Sequence, residues 1–258
     1  MKALKKTFKF LFILIFWLGV WELAVLAVGQ ELFLPSPFSV ITSLSRLIFT
    51  SFFWQTIAFS IFRIVLGTII AIIIGVLLAL ITSRRRILYD LFYPMLTIVK
   101  ATPVASFITL AIIWMGARRL PVFICALMVF PIVWSAVSDG IKAISKKHME
   151  LAYTFKFSLR KKIKLIYIPT VAPYFLSACK TSVGLAWKAG VAAEVLAVSP
   201  DSIGKQLFEA RTYYEIPELF AWTITVIVLS LAIELTMAKI FGHLGKKYAY
   251  VRNYAENK

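Results

Sequence analysis

The chain has 258 residues, 60% of them hydrophobic, a formal net charge of +17 and a mean hydropathy of +0.85. Soluble domains are nearer 45–50% apolar, so a soluble fold is excluded. The apolar runs are continuous rather than alternating, which excludes a β-barrel and leaves membrane-spanning helices.

Met1 to Lys9 carries Lys2, Lys5, Lys6 and Lys9, and Phe10 to Val28 is then an apolar run of nearly bilayer-spanning length. Ala27-Val28-Gly29 would suit a signal-peptide cleavage site, but the run exceeds a signal peptide's apolar region, which predicts a retained helix. Glu22 within it is expected to face a neighbour or the outer boundary. Gln30 to Gln55, with Pro35 and Pro37, reads as an outer segment lying partly along the surface. A second span follows from Thr56 to Thr82; Arg63 in its outer third needs a partner or water, and Gly67 and Gly75 thin it for close packing.

Ser83-Arg84-Arg85-Arg86 marks an inner boundary. The third span, about Leu91 to Gly116, is interrupted by Pro94 and Pro103 with Lys100 between them. That pattern suits either a kinked packing helix or a broken helix lining a solute route. Arg118-Arg119 marks a tight outer turn, and Pro121 opens a fourth span, kinked at Pro131, to about Val137. The fifth span, about Tyr174 to Val198, carries Lys180, Lys188 and Glu194, with Lys180, Trp187 and Glu194 seven apart on one helix face. Three ionisable groups there mean the span does not face lipid all round. Ser199 to Pro217 reads as an outer loop with a short helix; Phe220 to Phe241 is a sixth span containing Glu234, followed by a basic tail.

Asp139 to Pro173 is the one long polar interval. Ile141, Ile144, His148, Leu151 and Phe155 recur at steps of three or four, and Leu159, Ile163 and Ile166 repeat the pattern among basic residues. The spacing predicts two short amphipathic helices joined near Lys156–Ser158, with Ser158 as N-cap and a break near Pro169. Such a pair either lies on anionic lipid or docks a protein.

The distribution of charge sets the topology. Of the 29 Lys and Arg, 20 fall in four segments on one side (1–9, 83–90, 141–167, 239–258), five on the other and four within spans. This asymmetry predicts six spans with both termini and the 139–173 stretch in the cytoplasm. It also accounts for the basic balance without nucleic acid. Cys125 and Cys179 lie in apolar spans and His148 and His243 are the only histidines, so neither a disulfide nor a metal site is expected. There is no GxxxxGK[ST] and no catalytic constellation, so the chain is expected to hydrolyse nothing and to hold no cofactor itself.

Glu150-Leu151-Ala152 followed by Ile168-Pro169 and Pro173 resembles the cytoplasmic EAA loop of ABC importer permeases. Leu151 replaces the first Ala of that motif, and Lys156 stands where the family has Gly. The block Gly184 to Glu194 and Leu34-Pro35-Ser36-Pro37 are similar to the nitrate/sulfonate/taurine branch, and the likeness covers roughly Leu34 to Phe241. It implies an all-α type I importer permease: an N-terminal helix and outer segment (1–55), a permease domain (56–242) containing the 139–173 stretch, and a cytoplasmic tail (243–258). By resemblance two copies pair in a bacterial plasma membrane. They bind two ATP-binding cassette subunits, which hold the ATP and Mg, and receive a small solute from an extracytoplasmic substrate-binding protein. The solute implied is a small anion such as a sulfonate, taurine or nitrate; the same branch includes importers of thiamine precursors or riboflavin-like compounds.

The ATPase contact is then expected at His148, Glu150, Leu151, Ala152, Phe155, Lys156, Ser158 and Pro169. The translocation path is expected near Arg63, Lys100, Pro103, Trp187, Lys188 and Glu194. The alternative from residues alone is an ion-coupled secondary carrier with Lys188, Glu194 and Glu234 as a relay.

Overall fold

The computed structural model describes residues 2–256, and the side-chain surroundings of 8, 9 and 11–243. Lys2, Lys5 and Lys6, and the basic residues of the tail beyond 243, lie outside the described side chains. The described elements are helices: α1 (Lys2–Val28), α2 (Pro37–Ile48), α3 (Ser51–Thr82), α4 (Arg86–Ala101), α5 (Val104–Lys142), α6 (Lys146–Thr154), α7 (Leu159–Lys162), a π-helical turn (Ile163–Tyr167), α8 (Ile168–Ala197), α9 (Ile203–Thr212) and α10 (Ile216–Glu256).

Capping side chains set several starts. Ser36 Oγ accepts the Ser39 N–H with Pro37 opening α2, Thr50 caps α3 through the Phe53 N–H, and Ser202 caps α9 through the Lys205 N–H. Among the described residues, four segments are long and apolar enough to cross a membrane: Leu11–Val28, Ser51–Thr82, Val104–Lys142 and Ile216–His243. The six expected passes map onto these helices once two facts are added. First, α5 breaks at Gly116 (φ 67°), where only a residue without Cβ turns freely. Ile108 and Ala111 of its first arm share one apolar cluster with Leu120 and Ile124 of its second, so the arms fold back on each other. Second, α8 at 30 residues has the length to cross, while its charges keep its hydropathy below that of those four segments.

The second arm of α5 is the centre of the bundle, with α3 packed on one side and α8 on the other. Val129, Val133 and Trp134 are fully buried there, and the Trp134 indole donates to Thr82 Oγ1 at 3.0 Å. The close α3–α5 approach depends on the two α3 glycines. A Cβ on Gly75 would stand 2.9 Å from the Phe130 carbonyl oxygen, and one on Gly67 would run into the Val122 carbonyl. α1 stands apart, tied chiefly by its Trp21 indole to the Pro35 carbonyl at 3.1 Å.

Of the two readings of the third pass, the broken helix is the one observed: α4 ends at Ala101, Thr102 is extended, and α5 starts after Pro103, because the residue before a proline is driven out of the helical region. Two expectations are corrected. The apolar stripe from Ile141 to Phe155 is not one helix face, since Ile141 closes α5 and a turn at Ala143–Ser145 precedes α6. Nor does the chain break at Pro169. The π turn over Ile163–Tyr167 shifts the hydrogen-bond register just ahead of it, so Pro169 falls in the first turn of α8, where its missing N–H costs nothing. From Leu159 to Ala197 the segments follow one another without a loop.

Candidate coupling site

α6 projects from the α5–α8 pair, and Ala152 is its one buried residue. Ala152 is small enough to let the helix lie against the bundle, while its neighbours point away. His148, Glu150 and Lys156 are exposed, Leu151 is 46% exposed and Phe155 68% exposed. Pro169 is buried, and Ser158 is exposed with its Oγ accepting the Lys161 N–H at 3.4 Å, as an N-cap does. The structure therefore gathers His148 to Ser158 onto one projection with Ala152 turned inward, whereas Pro169 lies buried in the first turn of α8. A recess of about 360 Å³ under α6, lined by Ile141, Ile144, Met149, Glu150 and Tyr167, separates it from the base of α8.

The turn after α6 explains Lys156. The Phe157 N–H donates to the Ala152 carbonyl at 2.9 Å and the Lys156 N–H to the Tyr153 carbonyl at 3.0 Å. This pair of bonds closes a helix with its exit residue in the left-handed region, and Lys156 has φ 48°. The turn is thus the one a glycine would make, built with a residue whose Cβ opposes it. Replacing Lys156 with Gly is expected to stabilise this turn by about 1 kcal/mol, the left-handed penalty less glycine's added chain entropy. Slower amide exchange at Phe157 would show it; unchanged or faster exchange would mean the turn is not strained. Lys161 covers the Phe157 ring at 4.5 Å, which braces the far side of the turn.

The electrostatics are one-sided. Glu150 is the only carboxylate between Asp139 and Glu194, amid Lys142, Lys146, Lys147, Lys156, Arg160, Lys161, Lys162 and Lys164.

The residues expected on the path separate into two groups. Arg63 and Glu194 meet: Arg63 Nη1 lies 3.5 Å from Glu194 Oε1, with side chains 10% and 0% exposed. Ser60 Oγ donates to Glu194 Oε2 at 2.8 Å and accepts the Ile203 N–H at 2.9 Å. Arg63 Nη2 donates to the Pro200 carbonyl at 2.6 Å, and the Gly204 N–H reaches Glu194 Oε2 at 3.4 Å. The knot pins the start of α9 to α3 and to the end of α8. A Cβ on Gly204 would collide with Glu194, so glycine is required at that crossing. Trp187 is also turned inward, its indole donating to the Val226 carbonyl at 3.2 Å. Lys100, Pro103 and Lys188 instead stand exposed on the bundle, as does Lys180. The relay Lys188–Glu194–Glu234 is not brought together, since Lys188 is exposed and Glu194 is inside the knot. The Arg63–Glu194 partnership carries no sequence signal beyond each residue's need for a counter-charge in the membrane.

A sequence model of the binding-protein-dependent transport system inner membrane component matches residues 71–249, more than half of the chain and all of the coupling segment. The chain belongs to that family. As a permease it resembles the aliphatic sulfonates transport permease protein SsuC of Bacillus subtilis, 25% identical over 216 residues, 82% of this chain and 77% of that protein. It is similar to the formylaminopyrimidine transport permease protein ThiX of Halalkalibacterium halodurans, 26% identical over 234 residues and 89% of each chain. The taurine transport system permease protein TauC of Escherichia coli is 23% identical over 222 residues, 83% and 80% of the two chains. Among solved structures, an amino acid ABC transporter superposes with a TM-score of 0.61 at 16% identity, covering 80% of this permease and 96% of that chain. The permease fold and its membership of a binding-protein-dependent, ATP-driven system thus agree with the motifs read from the sequence.

Proposed function

We propose that this permease forms a homodimer that imports a small oxyanion-bearing solute across the bacterial plasma membrane, with α6 and its exit turn inserted into a separate ATPase subunit on the cytoplasmic side. The observation that carries this reading is the projection itself: Leu151, Tyr153, Phe155 and Leu159 are large, apolar and exposed on a basic segment outside the membrane spans. Exposed apolar side chains grouped this way mark a protein contact. A lipid-lying helix would keep its apolar face continuous, whereas here the turn at Lys156 divides it. His148, Glu150, Lys156 and Ser158 form the polar rim of that contact, and Ala152 and Pro169 join it to the bundle.

Force applied to α6 passes at once into α8, because only the α7 and π-turn segments separate the exit turn from it. ATP-driven closure of two ATPase subunits would then rock the two copies between inward- and outward-facing states. Lys100 and Lys188, exposed in membrane passes, cannot rest in lipid without cost, so they face the second copy or the water-filled path; Pro103, at the α4–α5 break, stands with them. Their charge favours an anion, as does Arg119 at one end of the groove of about 970 Å³ between α3 and α5, where Arg63 and Arg118 are paired with Glu194 and Asp201. The sulfonate and taurine permeases named above agree with that charge. The formylaminopyrimidine permease supports a second reading, in which the same machine imports a thiamine precursor. Arg63, Trp187 and Glu194 hold the helices that border the path.

Proteoliposomes test the reading. Permease, ATPase and binding protein together are expected to concentrate solute with ATP, and permease alone is not. Uphill uptake by the permease alone, driven by an ion gradient, would overturn it.

A further inference from the structure

Gly184 lies near the midpoint of α8, and Glu234 crosses to it from α10. A Cβ on Gly184 would stand 2.6 Å from Glu234 Oε1, so the carboxylate occupies the notch that the glycine leaves. Lys180 and Lys188 are one turn before and one turn after Gly184 on the same side of α8. Both lysines and Glu234 are exposed on this chain, and Glu234 has no ion-pair partner among the described residues. Three ionisable side chains therefore share one stretch of the α8–α10 seam, with none of their charges committed to a short ion pair. This differs from the Arg63–Glu194 knot, where the two opposite charges pair at 3.5 Å. Ionisable groups at this depth face a cavity or a partner, never open lipid.

We infer that Lys180, Lys188 and Glu234 form a seat for one monovalent oxyanion, with Glu234 as its built-in competitor. The inference rests on the importer reading above and adds to it the site and the charge of the solute. Two ammonium groups and one carboxylate leave a single positive charge, and one monoanion brings the set to neutrality. A dianion overshoots, and a cation is repelled. When the seat is empty, the flexible Glu234 side chain can swing from the Gly184 notch toward either lysine, one turn away. An arriving oxyanion takes the lysine and returns the carboxylate to the notch. The competitor keeps binding weak enough for release, which a carrier requires of every intermediate site.

The alternative is a seat for a zwitterion, in which Glu234 would hold the solute's ammonium group. The two differ in sign. If Glu234 competes, Glu234→Gln tightens binding of a plain sulfonate; if Glu234 is needed to bind, the same change does not.

The experiment uses permease and ATPase together in nanodiscs, without binding protein, titrated with ethanesulfonate by calorimetry at fixed ionic strength. Ethanesulfonate is expected to bind saturably. Glu234→Gln is expected to tighten binding about threefold to tenfold by removing a nearby opposing charge. Gly184→Ala keeps all three charges and is expected to weaken it, because its Cβ fills the notch to which the carboxylate must return when the anion binds. Lys188→Met is expected to weaken it about tenfold or more, the loss of one charge-assisted contact, and Lys188→Arg to restore most of the difference. No saturable binding by the wild-type complex overturns the seat. So does unchanged or weaker binding by Glu234→Gln, or, should that variant not fold, unchanged or tighter binding by Gly184→Ala. Stimulation of ATP hydrolysis by solute-loaded binding protein separates this failure from that of the importer reading: it persists if only the seat is wrong and is absent if the importer assignment is wrong.

Discussion

Replacing Glu194 with alanine is expected to destabilise the permease by about 3–5 kcal/mol, the cost of leaving a buried charge without its partner. The figure follows from how little alternative the groups have. Glu194 is fully buried and Arg63 nearly so, and Arg63 Nη1 and Glu194 Oε1 have only each other. Removing the carboxylate strands the guanidinium and also unties Ser60 and the Gly204 N–H, which hold the start of α9. The end of α8 is already under tension there, with the β-branched Val198 in the left-handed region at φ 49° and the Ser199 N–H bonded to the Glu194 carbonyl. Thermal unfolding of the detergent-solubilised permease measures the effect. Removing both charges together, as Arg63→Met with Glu194→Leu, is expected to recover much of the loss, since a buried pair can be replaced by apolar side chains of similar volume. A Glu194→Ala protein as stable as wild type would mean that the knot contributes nothing.

The second large effect is expected at the projection. Phe155→Asp should weaken association of permease and ATPase by at least about 2 kcal/mol, roughly 30-fold in Kd. Phe155 is a large exposed aromatic at the end of α6, and in the proposed contact it is the kind of side chain that carries most of an interface's energy. Its ring is largely exposed in the isolated permease, so an aspartate there costs the fold little. Loss of affinity with an unchanged melting temperature would therefore locate the effect in the contact. Binding of purified ATPase to permease in nanodiscs checks it, and unchanged affinity would place the ATPase elsewhere.

The sequence made some of this architecture legible and concealed the rest for physical reasons. The passes were readable because bilayer-spanning length and the asymmetry of Lys and Arg are properties of segments, which need no knowledge of neighbours. The turn at Lys156 was only half readable: a glycine position in the EAA pattern names a backbone conformation, but a lysine there leaves open whether the chain turns the same way under strain or turns differently. The tolerance of Pro169 was not readable, since the π turn that permits it is a shift of backbone register with no side-chain signature. The stripe from Ile141 to Phe155 misled because helical spacing continues through Ala143–Ser145, where the backbone turns. Arg63 and Glu194 each announced a need for a counter-charge. That they meet each other depends on how α3 and α8 pack, which no local pattern states. Lys180, Trp187 and Glu194 share a helical period, yet the bundle buries the last two and leaves the first open. Periodicity fixes which residues align, and packing decides where along the helix that line is covered.

The most direct measurement is transport-coupled ATP hydrolysis by the reconstituted complex carrying Glu150→Arg. This reverses the one carboxylate of the projection and leaves the membrane passes untouched. The reading of α6 as the ATPase's handle predicts that coupling is lost while the permease still inserts and folds. Coupled hydrolysis at the wild-type rate would contradict it.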